Sequence, residues 1–353
     1  MNPLTESISG SPARDGFYFP AEWEAHRATW LSWPHKEESW PGKIHSIYKP
    51  YAEFIREIAK GEWVCINVND STMENFAREI LIQNSVDLSK VHFYHHPTND
   101  AWCRDHGPAF LVNRADGHMK AIVSWKYNAW GNKYPPFDLD IIIPSRISKV
   151  LELPVYYPGI IMEGGAVDFN GNGTVLTTTS CLLNPNRNPG LSQSQIESYL
   201  VNYYGVSQVL WLGDGIMGDD TDGHVDDITR FVSPEKVITM IEHNRGDENY
   251  APLKDNAELL SKMNLLNGKS LEIVEIPMPS PQFYEGIRLP ASYANFYISN
   301  QSVIVPVFND PNDDKALSIL SGLFPEREVV GVYSTDIVWG LGSFHCLSQQ
   351  EPL

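Results

Sequence analysis

Near one end of the sequence a thiol sits in the run GLGSFHC, Gly340 to Cys346. Cysteine is ordinarily a small buried hydrophobe. On a glycine-containing turn after a strand-like run it becomes a candidate nucleophile, provided that a base and a substrate pocket come from elsewhere in the chain. Four other segments carry suitable residue types. NDAWCRDHGP (99–108) holds Trp102, Arg104, Asp105 and His106. IIMEGGAVDF (160–169) places Glu163 after an apolar run and before two glycines. GDDTDGHVDD (218–227) contains Asp219, Asp220, Asp222, His224, Asp226 and Asp227. GIRLPASYANFY (286–297) is the fourth. Each also has a plain structural reading: an Arg104–Asp105 ion pair, a hairpin at the glycines, a hydrogen-bonded structural histidine, a solvated acidic loop.

The acidic loop invites a metal, but its register fails for a calcium hand. With Asp220, Asp222 and Gly223 at positions three, five and six, positions one and twelve are Gly218 and Thr229, which carry no carboxylate. A metal-dependent hydrolase using His224 and Asp226 is an alternative without an HExxH or second histidine pair behind it. His95 and His96 are adjacent and point apart on a strand. No metal or cofactor is expected. An ester or peptide substrate calls for oxyanion donors and one carboxylate behind the histidine. Several carboxylates around a thiol suit a planar cation instead. A guanidinium presents a fixed fork of N–H donors that carboxylates meet with charge-assisted hydrogen bonds.

Alternating helices and strands must position these groups. Residues 43–61 show apolar residues at helical spacing with Gly61 as the stop, and Pro50 marks the first turn or a kink. WVCINVN (63–69) reads as a buried strand. Ser71 and Glu74 form a capping box for the next helix, and Ser192 caps another that ends at Gly205. That helix leads into a strand and two further helix-to-strand successions follow, so the class is α/β. No linker or repeat divides the chain: residues 1–15 are a loose arm, and residues 16–353 form one catalytic domain. The chain has 353 residues and a formal net charge of −18. Nucleic acid is disfavoured as a partner by that charge, and a cationic substrate is favoured, although a solvated acidic surface explains the charge equally well. No apolar stretch is long enough to span a membrane, and the first residues lack the features of a secretory signal. Four cysteines without paired spacing suit reduced thiols and a cytoplasmic setting.

The set FPAEWEAHRATWLSWP (19–34), WCRDHGP (102–108), MEGGAVDF (162–169), CLLNPNRNPGLS (181–192), DGHVDD (222–227), RLPASYANFYI (288–298) and GLGSFHCLSQQ (340–350) resembles the agmatine deiminase and bacterial-type peptidyl-arginine deiminase family over nearly the whole chain. The resemblance implies a pentein fold, a five-bladed α/β propeller of ββαβ units around a central site. It also implies metal-free hydrolysis of a guanidinium to a ureido group and ammonia. Carried over by motif, Cys346 is the nucleophile and His224 the general acid/base, oriented by Glu163. Asp105 and Asp226 hold the guanidinium, Trp102 lines the pocket, and Asp220 is the candidate for the far, amino end of the substrate. Agmatine is the implied substrate, with free or peptidyl arginine as alternatives. Two departures bear on this choice, since the family commonly has Glu at Asp220 and Asn at Asp222; the segment WGNKYPPFDLD (130–140) departs as well. Family members are often dimers or larger, which leaves the homo-oligomeric state open. From the charges alone, the thiol of Cys346 is expected to rest protonated beside the aspartates, with His224 as an imidazolium drawing the other way.

Overall fold

The computed structural model describes residues 10–353. Its strands repeat one pairing pattern. An antiparallel pair is followed by a helical segment and then by a strand lying parallel to the second of the pair. The pattern occurs with Ala109–Asn113, Lys120–Val123 and Val155–Tyr156; with Val167–Phe169, Thr174–Thr178 and Gln208–Leu212; with Thr229–Ser233, Lys236–Ile241 and Glu272–Pro277; and with Tyr297–Ile298, Ser302–Val307 and Glu328–Tyr333. The fifth instance joins distant parts of the chain. Ser348–Pro352 pairs antiparallel with His26–Ser32, Trp63–Val68 runs parallel to the latter, and Val91–His95 extends the sheet. The pattern is mixed α/β, and it recurs without any repeat visible in the sequence.

Local chemistry explains the elements. The run WVCINV is buried from Val64 onward because Trp63–Val68 lies between two neighbours and is covered on both faces. Helix Ile44–Ala59 turns Ile44, Ile47, Tyr48, Tyr51, Phe54, Ile55 and Ile58 inward. Pro50 lies inside this helix rather than in its first turn. The helix of residues 71–83 is capped by Asp70, whose carboxylate accepts from the Met73 amide at 2.9 Å. The expected Ser71–Glu74 box is absent because Glu74 is engaged by Arg78 and His95. The box at Ser192 is present. Of the expected arm, residues 1–9 lie outside the described residues. Residues 11–15 are tied down: the Ala13 amide donates to Asn202, and Asp15 accepts from Tyr156.

One regularity positions the site. Each of the five chemical segments sits directly before the first strand of a unit. The turn Cys103–His106 precedes Ala109, Gly164–Ala166 precedes Val167, Val225–Asp227 precedes Thr229, Tyr293–Asn295 precedes Tyr297, and Gly340–Cys346 precedes Ser348. Equivalent ends of five units therefore supply the functional side chains.

Candidate functional site

Cys346 is 4% exposed and borders a cleft of about 830 Å³ that is also lined by Trp102, Asp105, Trp130, Lys133 and Asp220. Its sulfur accepts from Asn295 Nδ2 at 3.0 Å and stands 3.7 Å from Asp226 Oδ2. The Cys346 amide donates to Asn295 Oδ1 at 3.3 Å, so one asparagine fixes both ends of the nucleophile. Burial, then Asp226, Asp227 and Asp105, push the thiol well above its ordinary range, the direction expected from the charges.

Asp105, Asp226 and His224 converge over Gly165. A side chain there would meet His224 Nδ1 at 2.5 Å, Asp226 Oδ2 at 2.9 Å and Asp105 Oδ1 at 3.1 Å. Only a residue without Cβ leaves room for the three groups together. Asp105 accepts from the Gly165 amide and from Trp130 Nε1, each at 2.9 Å. Burial, with Asp226 and Glu163 nearby, holds its carboxyl well above the usual range. Asp226 goes the other way. Burial alone would raise it, but the bond and charge of His345, aided by His224 and Arg230, keep it below. Its Oδ1 has no hydrogen-bond partner.

His224 is fully buried, and neither ring nitrogen has a hydrogen-bond partner. Its Nδ1 is 3.9 Å from Asp105 and 4.0 Å from Asp226. Burial pushes the ring down to about 3, outweighing the pull of Asp226. The expected imidazolium is thus corrected to a neutral imidazole, because burial outweighs the neighbouring carboxylates. Its backbone is set by Asp219, whose Oδ2 accepts from the Gly223 and His224 amides. Glu163 stands beside the ring with Oε2 unpaired, while Oε1 accepts from Arg187 Nε at 2.7 Å. The expected orienting bond from Glu163 to His224 is therefore not made here; Arg187 takes that carboxylate.

The alternative metal pair, His224 and Asp226, is not available as free ligands, because Asp226 Oδ2 already bonds His345 at 2.6 Å. Among the described residues, Glu163, Cys181 and His224 are the group whose ligating atoms lie within 4.8 Å of one another.

At the cleft mouth Asp220 is partly exposed. It accepts from Tyr134 Oη at 2.5 Å and lies 3.3 Å from Lys133 Nζ. Its carboxylate is thus already engaged, not an open acidic end. Asp222 is structural: it sits at φ +68° and bonds Lys133, Asn186 and Arg187. Trp102 lines the cleft, stacks on Trp40 with ring centroids 5.2 Å apart, and has Gly340 and Gly342 pressed on its ring. Those glycines permit close packing on the indole, where a Cβ would come within 2.9 Å or less. Arg104 does not pair with Asp105; it bonds Glu22 and Gln350. Arg288 pairs with Asp247. All four cysteines are free and buried. Residue types alone did not single out Trp130, Asn295, Arg187 and Glu22, although three of the four lie inside motifs quoted above.

The family model for Porphyromonas-type peptidyl-arginine deiminase matches residues 18–352. A Legionella pneumophila protein, provisionally named an agmatine deiminase, is 36% identical over 98% of both chains. A solved agmatine deiminase of Enterococcus faecalis superposes with a TM-score of 0.91 at 32% identity, covering 99% of each chain. A C. jejuni agmatine deiminase with substrate bound gives 0.85 at 32% identity, over 95% of this chain and 96% of that one. The chain belongs to the Porphyromonas-type peptidyl-arginine deiminase family and shares the mixed α/β fold of these enzymes. It is accordingly a hydrolase acting on carbon–nitrogen bonds of linear amidines. No helix among the described residues is long and apolar enough to cross a membrane.

Proposed function

We propose that the chain hydrolyses agmatine to N-carbamoylputrescine and ammonia through a covalent intermediate on Cys346. The observation that carries this reading is the convergence of the Cys346 thiol, the His224 imidazole and the carboxyl groups of Asp105 and Asp226 beside an aromatic-walled cleft. Asp105 and Asp226 accept N–H groups of the guanidinium, and Trp102 forms part of the wall. The sulfur attacks the guanidinium carbon while neutral His224 takes the thiol proton. His224 returns that proton to an amino group, the C–N bond breaks, and ammonia leaves an S-linked amidino group. Water then attacks the same carbon with His224 as base. The C–S bond breaks, the ureido product forms, the thiol regains its proton, and the proton brought in by the guanidinium departs on ammonia as ammonium. Glu163, bonded to Arg187, supplies negative charge next to His224 without a hydrogen bond to it, and Asp220, held by Tyr134 and Lys133, is the proposed contact for the amine end.

Several wider readings accompany this one. The five units are inferred to close as a five-bladed propeller in one domain of residues 16–353. A cytoplasmic place in polyamine (putrescine) synthesis or nitrogen recovery follows from the proposed product.

A colorimetric ureido assay across agmatine, arginine and an arginyl peptide tests the proposal. Agmatine is expected to be turned over with the highest kcat/KM; product from none of the three defeats the function while leaving the family intact. Alkylation of the thiol, but not chelation, should abolish turnover.

A further inference from the structure

The histidine next to the nucleophile has no part in the chemistry above, yet both of its ring nitrogens are engaged by buried carboxylates. His345 is 2% exposed. Its Nδ1 lies 2.6 Å from Asp226 Oδ2 and its Nε2 lies 2.8 Å from Glu22 Oε2. An ionised carboxylate only accepts hydrogen bonds, so a ring bridging two of them must donate from both nitrogens. Glu22 is committed to the ionised form. Burial opposes this, but Arg230, His345 and Arg104 together hold its carboxyl well below the usual range. Glu22 also accepts from Arg104 at 3.2 Å and from the Ile298 amide at 2.8 Å, and lies 3.0 Å from Arg230 Nη2. A buried line of alternating charge thus runs from Asp226 through His345 to Glu22 and its two arginines. At its front end, Asp226 has one oxygen fixed by His345 and the other, Oδ1, unpaired beside His224.

Resting on the deiminase reading, we propose that His345 is a positioning residue. Its ring, bridging Asp226 and Glu22, locks the Asp226 carboxylate in one orientation with a compensating positive charge behind it, so that Oδ1 faces the substrate guanidinium.

Two substitutions separate this role from simple packing. Asparagine places its amide where Nδ1 was and keeps a donor toward Asp226; glutamine places its amide where Nε2 was and keeps only the donor toward Glu22. In a Cys346→Ala background, agmatine affinity by calorimetry should fall about tenfold or more with His345→Gln, the effect of ~1.4 kcal/mol. It should fall several-fold less with His345→Asn. In the active enzyme the same order should appear in kcat/KM, although thermal midpoints drop equally. Equal losses of affinity in the two variants overturn the proposal. Should either variant fail to fold, nitrogen-15 NMR of the unsubstituted protein decides. His345 is identifiable because it forms the only His–Cys pair in the chain. Both of its ring nitrogens should appear as hydrogen-bond donors, and a bare ring nitrogen contradicts the bridge. That measurement needs no substrate. If no guanidine binds, the deiminase reading fails by itself, and the NMR result still stands for or against the bridge.

Discussion

A thiol, an imidazole and a carboxyl, each shifted away from its charged form, describe a site whose charge is completed by a cationic substrate. Cys346 and Asp105 are raised by burial and by neighbouring acids, and His224 is lowered by burial. A guanidinium entering between Asp105 and Asp226 lowers both raised groups, because an opposite charge favours the ionised form. Binding should therefore release protons. Calorimetric titration of agmatine into the Cys346→Ala protein at pH 7.5, in buffers of different ionisation enthalpy, should show proton transfer to the buffer. A binding heat independent of the buffer speaks against a protonated Asp105. The thiol makes a second, separate prediction. Its folded value lies above its unfolded one of ~8.5, so the stability it contributes is present below that value and lost as pH rises above it. The thermal midpoint of the free enzyme should fall more steeply above about pH 8.5 than that of Cys346→Ala; parallel curves contradict the assignment.

Among the elements, the turn at residues 129–132 is the most costly. Ala129, Trp130, Gly131 and Asn132 have φ values of +49°, +54°, +88° and +69°, a left-handed turn in which each non-glycine residue costs roughly 1–2 kcal/mol. Asn128 steadies it by accepting from the Gly131 amide at 2.9 Å. The strain delivers the indole N–H of Trp130 to Asp105 and leads into the segment that bonds Asp220 and Asp222. Strain of this kind gathers at functional sites. Trp130→Phe keeps the ring and removes one donor to a carboxylate needed as an anion. A charged hydrogen bond contributes about 1.5–3 kcal/mol, so kcat/KM should fall about 10- to 100-fold with unchanged far-ultraviolet dichroism. A loss under twofold means that the bond does not support Asp105. This segment also shows the limit of legibility. The five chemical segments were readable because their residues are contiguous and rich in Asp, His, Gly and Trp. Trp130 was not, since its partner lies 25 residues away and no pattern predicts a left-handed turn. Glu22 and Arg187 were hidden for the same reason: their roles come from partners such as His345, 323 residues from Glu22. Asp70 displaced Ser71 as a cap because neighbouring residues compete for the same amides, and sequence alone does not choose between them.

For the molecule as a whole, alternating elements established the α/β class from sequence. The five-fold recurrence was expected only from the family resemblance and was not visible as a repeat, because the units share strand pairing and no residue pattern. The net charge of −18 acts at this scale. Long-range attraction of a cation is screened within about 8 Å at physiological salt. The kcat/KM for agmatine should decline as sodium chloride rises from low to physiological concentration, with kcat little changed; a flat response places recognition entirely inside the cleft.

The fifth unit has a consequence for the making of the protein. Cys346 immediately precedes a strand whose partner, His26–Ser32, lies more than 300 residues earlier. On the ribosome the other four units can pair their strands while this sheet still lacks its antiparallel edge. The nucleophile therefore joins the acids only when that strand docks on its distant partner, so the closing sheet and the site form together.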